Sequence, residues 1–177
     1  KAALGGYIAL LAPEVRNEGV IIAEAGTVAL ASGEVITLNF ADNGTLAGIT
    51  ATQSQIAALV ENKNAVLAPG GLIILSAQAM NSLQGGVITH SGTLSASSLT
   101  EKGGRILLEG DHITLADSSQ ITATGATGGG EVLVGGDWQG GADTAYRVFA
   151  HPNAMKQATT VTMEAGASID VSAIQNG

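Results

Sequence analysis

The chain has 177 residues, 45% of them hydrophobic, with 25 glycines, 3% aromatics, no cysteine and a formal net charge of −8. That length and apolar share allow a sizeable core, but one built from Val, Ile, Leu and Ala rather than from rings. Disulfides, thiol nucleophiles and cysteine metal sites are excluded; the acidic balance argues against a nucleic-acid partner or an anionic membrane surface, and no apolar run reaches the ~18–20 residues of a membrane span.

The first motif in chain order is Gly5-Gly6-Tyr7-Ile8-Ala9-Leu10, a glycine pair, one variable residue and two aliphatics separated by one position. It recurs as Gly70-Gly71-Leu72-Ile73-Ile74-Leu75, Gly103-Gly104-Arg105-Ile106-Leu107-Leu108 and Gly129-Gly130-Glu131-Val132-Leu133-Val134, at steps of 65, 33 and 26 residues. Glycine pairs permit a tight corner, and the alternation that follows points every second side chain to one face of a strand. Between the first two units, Asp42-Asn43-Gly44 is a turn signal and predicts a hairpin joining residues 35–40 to 46–50. Residues 52–60 read as a short helix, since Thr52 and Gln55 match a capping box and Ile56, Leu59 and Val60 share a face. Residues 76–84 carry a second helical reading, with Ser76 as cap, Met80 and Leu83 on one face and Gly85 beyond the end.

Within residues 105–124 the period is two, which puts Ile106, Leu108, Ile113, Leu115, Ile121 and Ala123 inside and Arg105, Glu109, His112, Thr114, Thr122 and Thr124 outside. Val161-Thr162-Met163 and Ile169-Asp170-Val171 repeat the phrasing of Ile113-Thr114-Leu115 and Ile121-Thr122-Ala123, so these segments hold equivalent places in separate turns of the chain. A unit that turns a corner, lays down short strands and repeats cannot bury its apolar face alone; stacking buries it. The expected fold is all-β, a right-handed parallel β-helix with short helical and loop decorations, and Ile106 is expected over Val132 and Leu108 over Val134. At about 22 residues per coil the chain would hold about eight coils and span roughly 35–40 Å. With Lys1 at its start and no capping element at either end, it reads as one β-helix segment, 1–177, of a longer chain, interrupted by an extra-helical excursion over 138–159.

The phrase Gly5-Gly6-Tyr7-Ile8-Ala9-Leu10-Leu11-Ala12-Pro13-Glu14-Val15-Arg16-Asn17-Glu18-Gly19, followed by Thr27-Val28-Ala29-Leu30-Ala31-Ser32-Gly33-Glu34, resembles the filamentous-haemagglutinin-like exoproteins of Gram-negative two-partner secretion systems. Gly135-Gly136-Asp137-Trp138-Gln139-Gly140 and Ala165-Gly166-Ala167-Ser168-Ile169-Asp170-Val171-Ser172-Ala173 resemble the same family. The resemblance implies a right-handed β-helix, export through a dedicated outer-membrane transporter, and service as a surface adhesin or its shaft. An Asn-Pro-Asn-Gly type signature of the family's secretion domain is missing here, which puts the chain at the end of that domain or downstream of it.

For chemistry, Asp111 and Asp137 each follow a glycine just after a repeat strand and lie 26 residues apart, the same offset as their two units. Stacked in adjacent coils, two carboxylates are suited to a hard cation or to shared-proton sugar hydrolysis. The competing reading makes them corner residues whose carboxylates accept nearby backbone N–H groups. That reading is preferred, because the sequence fixes no Lys, Arg or further acid beside them. His90, His112 and His151 lack metal-ligand spacing and read as surface or corner positions. No serine sits in a nucleophile elbow, and Gly128-Gly129-Gly130-Glu131-Val132 lacks the aspartate of calcium-binding glycine repeats. Neither a catalytic set, a metal set nor a cofactor site is assigned.

The most function-like segment follows Asp137, where Trp138, Tyr146 and Phe149 are three of the chain's five aromatics, beside Arg147, His151 and Pro152. Trp138, Tyr146, Arg147 and Phe149 are a candidate surface for an extracellular polysaccharide or a host-cell receptor; the competing reading is an apolar lid over one wall. The expected function is non-enzymatic: a rigid shaft segment of a large secreted or cell-surface bacterial adhesin, mediating attachment or biofilm formation and exported by an outer-membrane two-partner-secretion transporter. Alternatives are a polysaccharide lyase or hydrolase on the same fold, or the stalk of a contact-dependent toxin-delivery protein.

Overall fold

The computed structural model describes residues 1–55, 57–80, 85–137 and 155–175. They wind into five coils. Coil 1 carries β1 (Tyr7–Leu11), β2 (Glu14–Asn17) and β3 (Ile21–Ile22). Coil 2 carries β4 (Thr27–Ser32), then β5 (Ile36–Phe40) and β6 (Leu46–Ala51), which leave the solenoid as a hairpin, then β7 (Ala58–Asn62) and β8 (Ala65–Leu67). Coil 3 has β9 (Leu72–Ala77), β10 (Gly86–His90) and β11 (Thr93–Ser95); coil 4 has β12 (Arg105–Glu109), β13 (His112–Leu115) and β14 (Gln120–Thr122). Coil 5 has β15 (Glu131–Val134), β16 (Thr160–Met163) and β17 (Ser168–Asp170). Each coil gives one strand to each of three parallel sheets: wall A is β1-β4-β9-β12-β15, wall B is β2-β7-β10-β13-β16 and wall C is β3-β8-β11-β14-β17. This is a parallel β-helix.

The register stacks like on like. On wall A, Ile8, Val28, Ile73, Ile106 and Val132 form one inward column, and Leu10, Leu30, Leu75, Leu108 and Val134 the next. Wall C adds Ile21, Val66, Leu94, Ile121 and Ile169. Ile73, Leu75, Ile88, Leu94, Ile106, Leu108 and Ile121 are fully buried, each contributing about 1.5–3 kcal/mol of transfer free energy. The inward and outward sets expected for residues 105–124 hold: the inward six are at most 1% exposed, and the outward six are half-buried.

The glycine motif has a further cause beyond the corner. In coils 2 to 5 a Cβ on the second glycine, Gly26, Gly71, Gly104 or Gly130, would overlap the carbonyl of Gly6, Gly26, Gly71 or Gly104 in the coil before. Those carbonyls accept N–H bonds from Thr27, Leu72, Arg105 and Glu131, so close approach and coil-to-coil bonding are one geometry. Coil 2 uses the same corner with Ala25-Gly26, a fifth unit hidden from the motif because alanine takes the first place at φ 48°.

The hairpin is as expected: β5 and β6 pair antiparallel around Gly44 at φ +79°, and Asn43 Oδ1 accepts the Thr45 N–H at 3.1 Å. It lies on the outer face of wall A, where Thr27 Oγ1 donates to the Leu46 carbonyl at 2.6 Å. Cover from this side explains why Ala29 and Ile74 are buried although they point outward.

Three expectations are corrected. The described residues of 52–60 are not helical: the Thr52 N–H bonds Val35 O and its hydroxyl accepts the Val35 N–H, closing the hairpin base, while Ser54 bridges to Ala79 and 58–62 form β7. Ser76 and Ala77 belong to β9, so the second helical reading fails at its cap; residues 81–84 lie outside the described residues. Helices of about nine residues are marginal alone, and strand ladders available on both sides outweigh such local signals. The coils among the described residues number five, not eight, rising about 20 Å, because the hairpin and the chain between β15 and β16 add residues without adding a turn and the later coils take 33 and 26 residues each.

Candidate functional site

The polar groups concentrate where wall A turns into wall B. Glu109 ends β12, Gly110 turns, and Asp111 precedes β13. A Cβ on Gly86 would overlap the Ala77 carbonyl, so that corner needs glycine, whereas one on Gly110 would meet the Gly86 carbonyl at 3.0 Å and crowd it. Asp111 is 1% exposed and ties three coils together. Toward coil 3 its N–H donates to Gly86 O at 2.7 Å and its Oδ2 accepts the Gly86 N–H at 2.8 Å. Toward coil 5 its carbonyl accepts the N–H groups of Thr159 and Thr160, and its Oδ1 lies 2.6 Å from Lys156 Nζ.

Glu109 joins this cluster through Oε1, which accepts the Lys156 N–H at 2.7 Å. Burial pushes the Glu109 carboxyl above the usual range; the Lys156 N–H, the Gln78 and Ser76 side chains and the Lys156 charge pull the other way without cancelling it. Asp137 is buried nearby in sequence to Gly136, but the coil place opposite Asp111 is held by Thr159, since the register pairs His112 with Thr160. Among the described strand pairings, Asp111 is therefore bonded to Thr159 and not to Asp137.

Chemically, the Asp111 carboxylate is committed. One oxygen holds a backbone N–H, the corner arrangement the sequence favours, and the other holds an ammonium. Among the described residues, no three of His, Asp and Glu are grouped to hold a metal ion. Sequence reasoning missed Lys156 because its pairing runs through 45 residues of irregular spacing, and no repeat offset marks it.

The histidines separate. His112 points outward and its Nδ1 lies 2.8 Å from Thr160 Oγ1, whereas His90 is fully buried inside wall B. Of the surface or corner reading, the surface part is corrected for His90: it ends β10 at the corner, but buried, at an inward register position in line with Asn17 and Asn62. Trp138, Tyr146, Arg147, Phe149 and His151 lie outside the described residues. Two other aromatics meet instead: Tyr7 on β1 and Phe40 on β5 are 44% and 49% exposed, with ring centroids 5.3 Å apart edge-to-face. A groove of about 940 Å³ runs beside the glycine corner, between the hairpin residues Thr45 and Leu46 and the loop around Lys102.

Five coils of three parallel walls, with a hairpin laid over one of them, can be set against known structures. The chain is similar to the HMW1 secretion domain from Haemophilus influenzae. Identity is 25% and the TM-score 0.51, over 93% of this chain and 48% of that one, so the chain spans about half the length of that domain. No family model and no curated protein matches it. The likeness agrees with the broad exported, adhesin-like kind that the sequence motifs resemble, and it does not single out a family. No helix among the described residues is long and apolar enough to cross a membrane.

Proposed function

We propose that the chain is a rigid shaft segment of a large secreted or surface-associated bacterial adhesin, exported by an outer-membrane two-partner-secretion transporter. The observation that carries this reading is the likeness to a secretion domain along 93% of the chain, in a fold whose wall strands, all but those of the β5–β6 hairpin, stack coil on coil. Stiffness follows from that stacking: every interior strand bonds both neighbours, so bending the rod disturbs three ladders at once. Attachment or biofilm formation is the task such a rod serves.

We infer further that the segment is not an enzyme. Its most site-like carboxylate, Asp111, is buried with both oxygens engaged, leaving neither an open coordination position nor a proton donor facing solvent. Antibody against the folded chain should label intact cells of the producing bacterium, and the label and the attachment of the cells should both fall when the transporter gene is removed. Surface label that survives that removal overturns the export route; unchanged attachment after deletion of the protein itself overturns the adhesin reading. Unsaturated or new reducing sugar ends released from polysaccharide by the purified chain would overturn the non-enzymatic reading.

A further inference from the structure

Wall B carries one inward column that is not aliphatic throughout. Asn17, Asn62 and His90 occupy successive coils, followed by Leu115 and Met163. Asn17 Nδ2 donates to Asn62 Oδ1 at 2.7 Å, which makes the NH₂ of Asn62 its side-chain donor toward the next coil. That group reaches the Asn64 carbonyl at 2.9 Å and His90 Nδ1 at 3.1 Å. Nδ1 therefore accepts, and the ring proton resides on Nε2, 3.5 Å from the Gln120 carbonyl. Each member fixes the next, and a second ring proton breaks the order of donors: an N–H at Nδ1 would face the Asn62 NH₂ and would have to turn from it to the Asn62 backbone.

Among the described residues, the charged groups on the elements packed around His90 are engaged elsewhere. On β7, Glu61 points outward to Arg16 of β2 and to Lys63, which also pairs with Glu18. On β13, His112 points outward and Leu115 inward; β14 offers only the Gln120 carbonyl. At the corner beyond β13, Glu164 accepts the Asp117 N–H and Asp117 accepts the Gly166 N–H. Asp111 lies at the opposite end of β10, bonded to Gly86. None of these carboxylates is a hydrogen-bond partner of His90.

We propose that the Asn17–Asn62–His90 ladder is an acid-sensitive latch: proton uptake at the His90 ring dismantles it and loosens the corner between walls B and C in coils 2 to 4, while wall A stays stacked. Burial, the largest influence, lowers the His90 pKa, against the opposing hydrogen bonds to the backbone of Gln120 and of Asn62. A lowered folded value means that the neutral ring's contribution is complete above about pH 6.5 and is lost as pH falls from there toward the folded value. Within that window opening is favoured about tenfold for each pH unit.

Hydrogen exchange of the 177-residue chain, corrected for intrinsic rates, reads the latch directly. Between pH 7.5 and 5.5, amides of residues 62–66 and 90–93 should lose protection by about tenfold, while those of residues 73–75 and 106–108 hold. His90→Asn, which continues the asparagine ladder, should abolish that difference. Equal pH dependence in His90→Asn, or acid loss of protection spread evenly over all three walls, overturns the proposal. Should His90→Asn not fold, the ring titration of the unaltered chain by NMR decides: an imidazole still neutral at pH 6 supports the latch, and one titrating at or above 6.5 refutes it.

Discussion

The Lys156 ammonium lies 2.6 Å from Asp111 Oδ1, so the first stretch of chain described after residue 154 is clamped to the corner of the preceding coil. Asp111 is 1% exposed, and removing its cation leaves a buried carboxylate held only by the Gly86 N–H. Lys156→Met should destabilise by about 2–3 kcal/mol in urea unfolding, with Lys156→Met/Asp111→Asn recovering part of it. A single variant as stable as the parent would show that the pair contributes nothing to folding.

Gly26 and Ala25 should respond in opposite directions. A Cβ at Gly26 would overlap the Gly6 carbonyl, a backbone atom that also binds Thr27, so Gly26→Ala should cost roughly 3 kcal/mol or more. Ala25 pays for a left-handed φ of 48°, and Ala25→Gly should stabilise by up to about 1 kcal/mol. Thermal midpoints measured side by side check both; a neutral Gly26→Ala would mean that the corner is looser than its close contacts indicate.

Much of this fold is written in the period-two phrases. Ile106 over Val132 and Leu108 over Val134 follow from the motif alone, because equal places in successive units must stack in a solenoid. What the sequence hides is where the chain leaves and rejoins the coil. Thr52 resembles a helix cap until Val35 is brought to it by the hairpin, and the Thr159 that bonds Asp111 is supplied from beyond the inserted chain. His90 looks like an isolated polar residue, since its Asn17 and Asn62 partners come from steps of unequal length. Pairings set by irregular insertions carry no local signal, and the Lys156 clamp is of that kind.

Glu109 gives a pH dependence of the opposite sign to that of His90. Its folded pKa is raised above the ordinary value of 4.5, so its contribution is complete below about that pH and is lost as pH rises through the folded value. Glu109→Gln should keep the bond to the Lys156 N–H and remove the cost of ionising a buried acid. Because His90 titrates in both proteins, the informative quantity is the difference between variant and parent: urea midpoints should nearly coincide at pH 4 and favour the variant at pH 7.5. A variant weaker than the parent at pH 7.5 would show instead that an ionised Glu109 stabilises the Lys156 end of the cluster.

The candidate binding residues Trp138, Tyr146, Arg147 and Phe149 can be separated from the coil by a cut that respects this clamp. Lys156 N–H bonds Glu109, Ala158 N–H bonds Gly135 and Thr159 N–H bonds Asp111, so residues 155–159 must be kept. Replacement of 138–154 by a short Gly/Ser connection then leaves every bond of coil 5 among the described residues in place, and loop-closure entropy changes only slowly with length. The shortened chain should retain its β-rich circular dichroism and a cooperative melt. If the aromatic and arginine side chains contact a polysaccharide or a host-cell receptor, it should lose binding to coated polysaccharide or to cells while staying folded. Loss of the cooperative melt would instead make the segment an apolar cover for the wall, and intact binding by the folded, shortened chain would remove these four residues as the recognition surface.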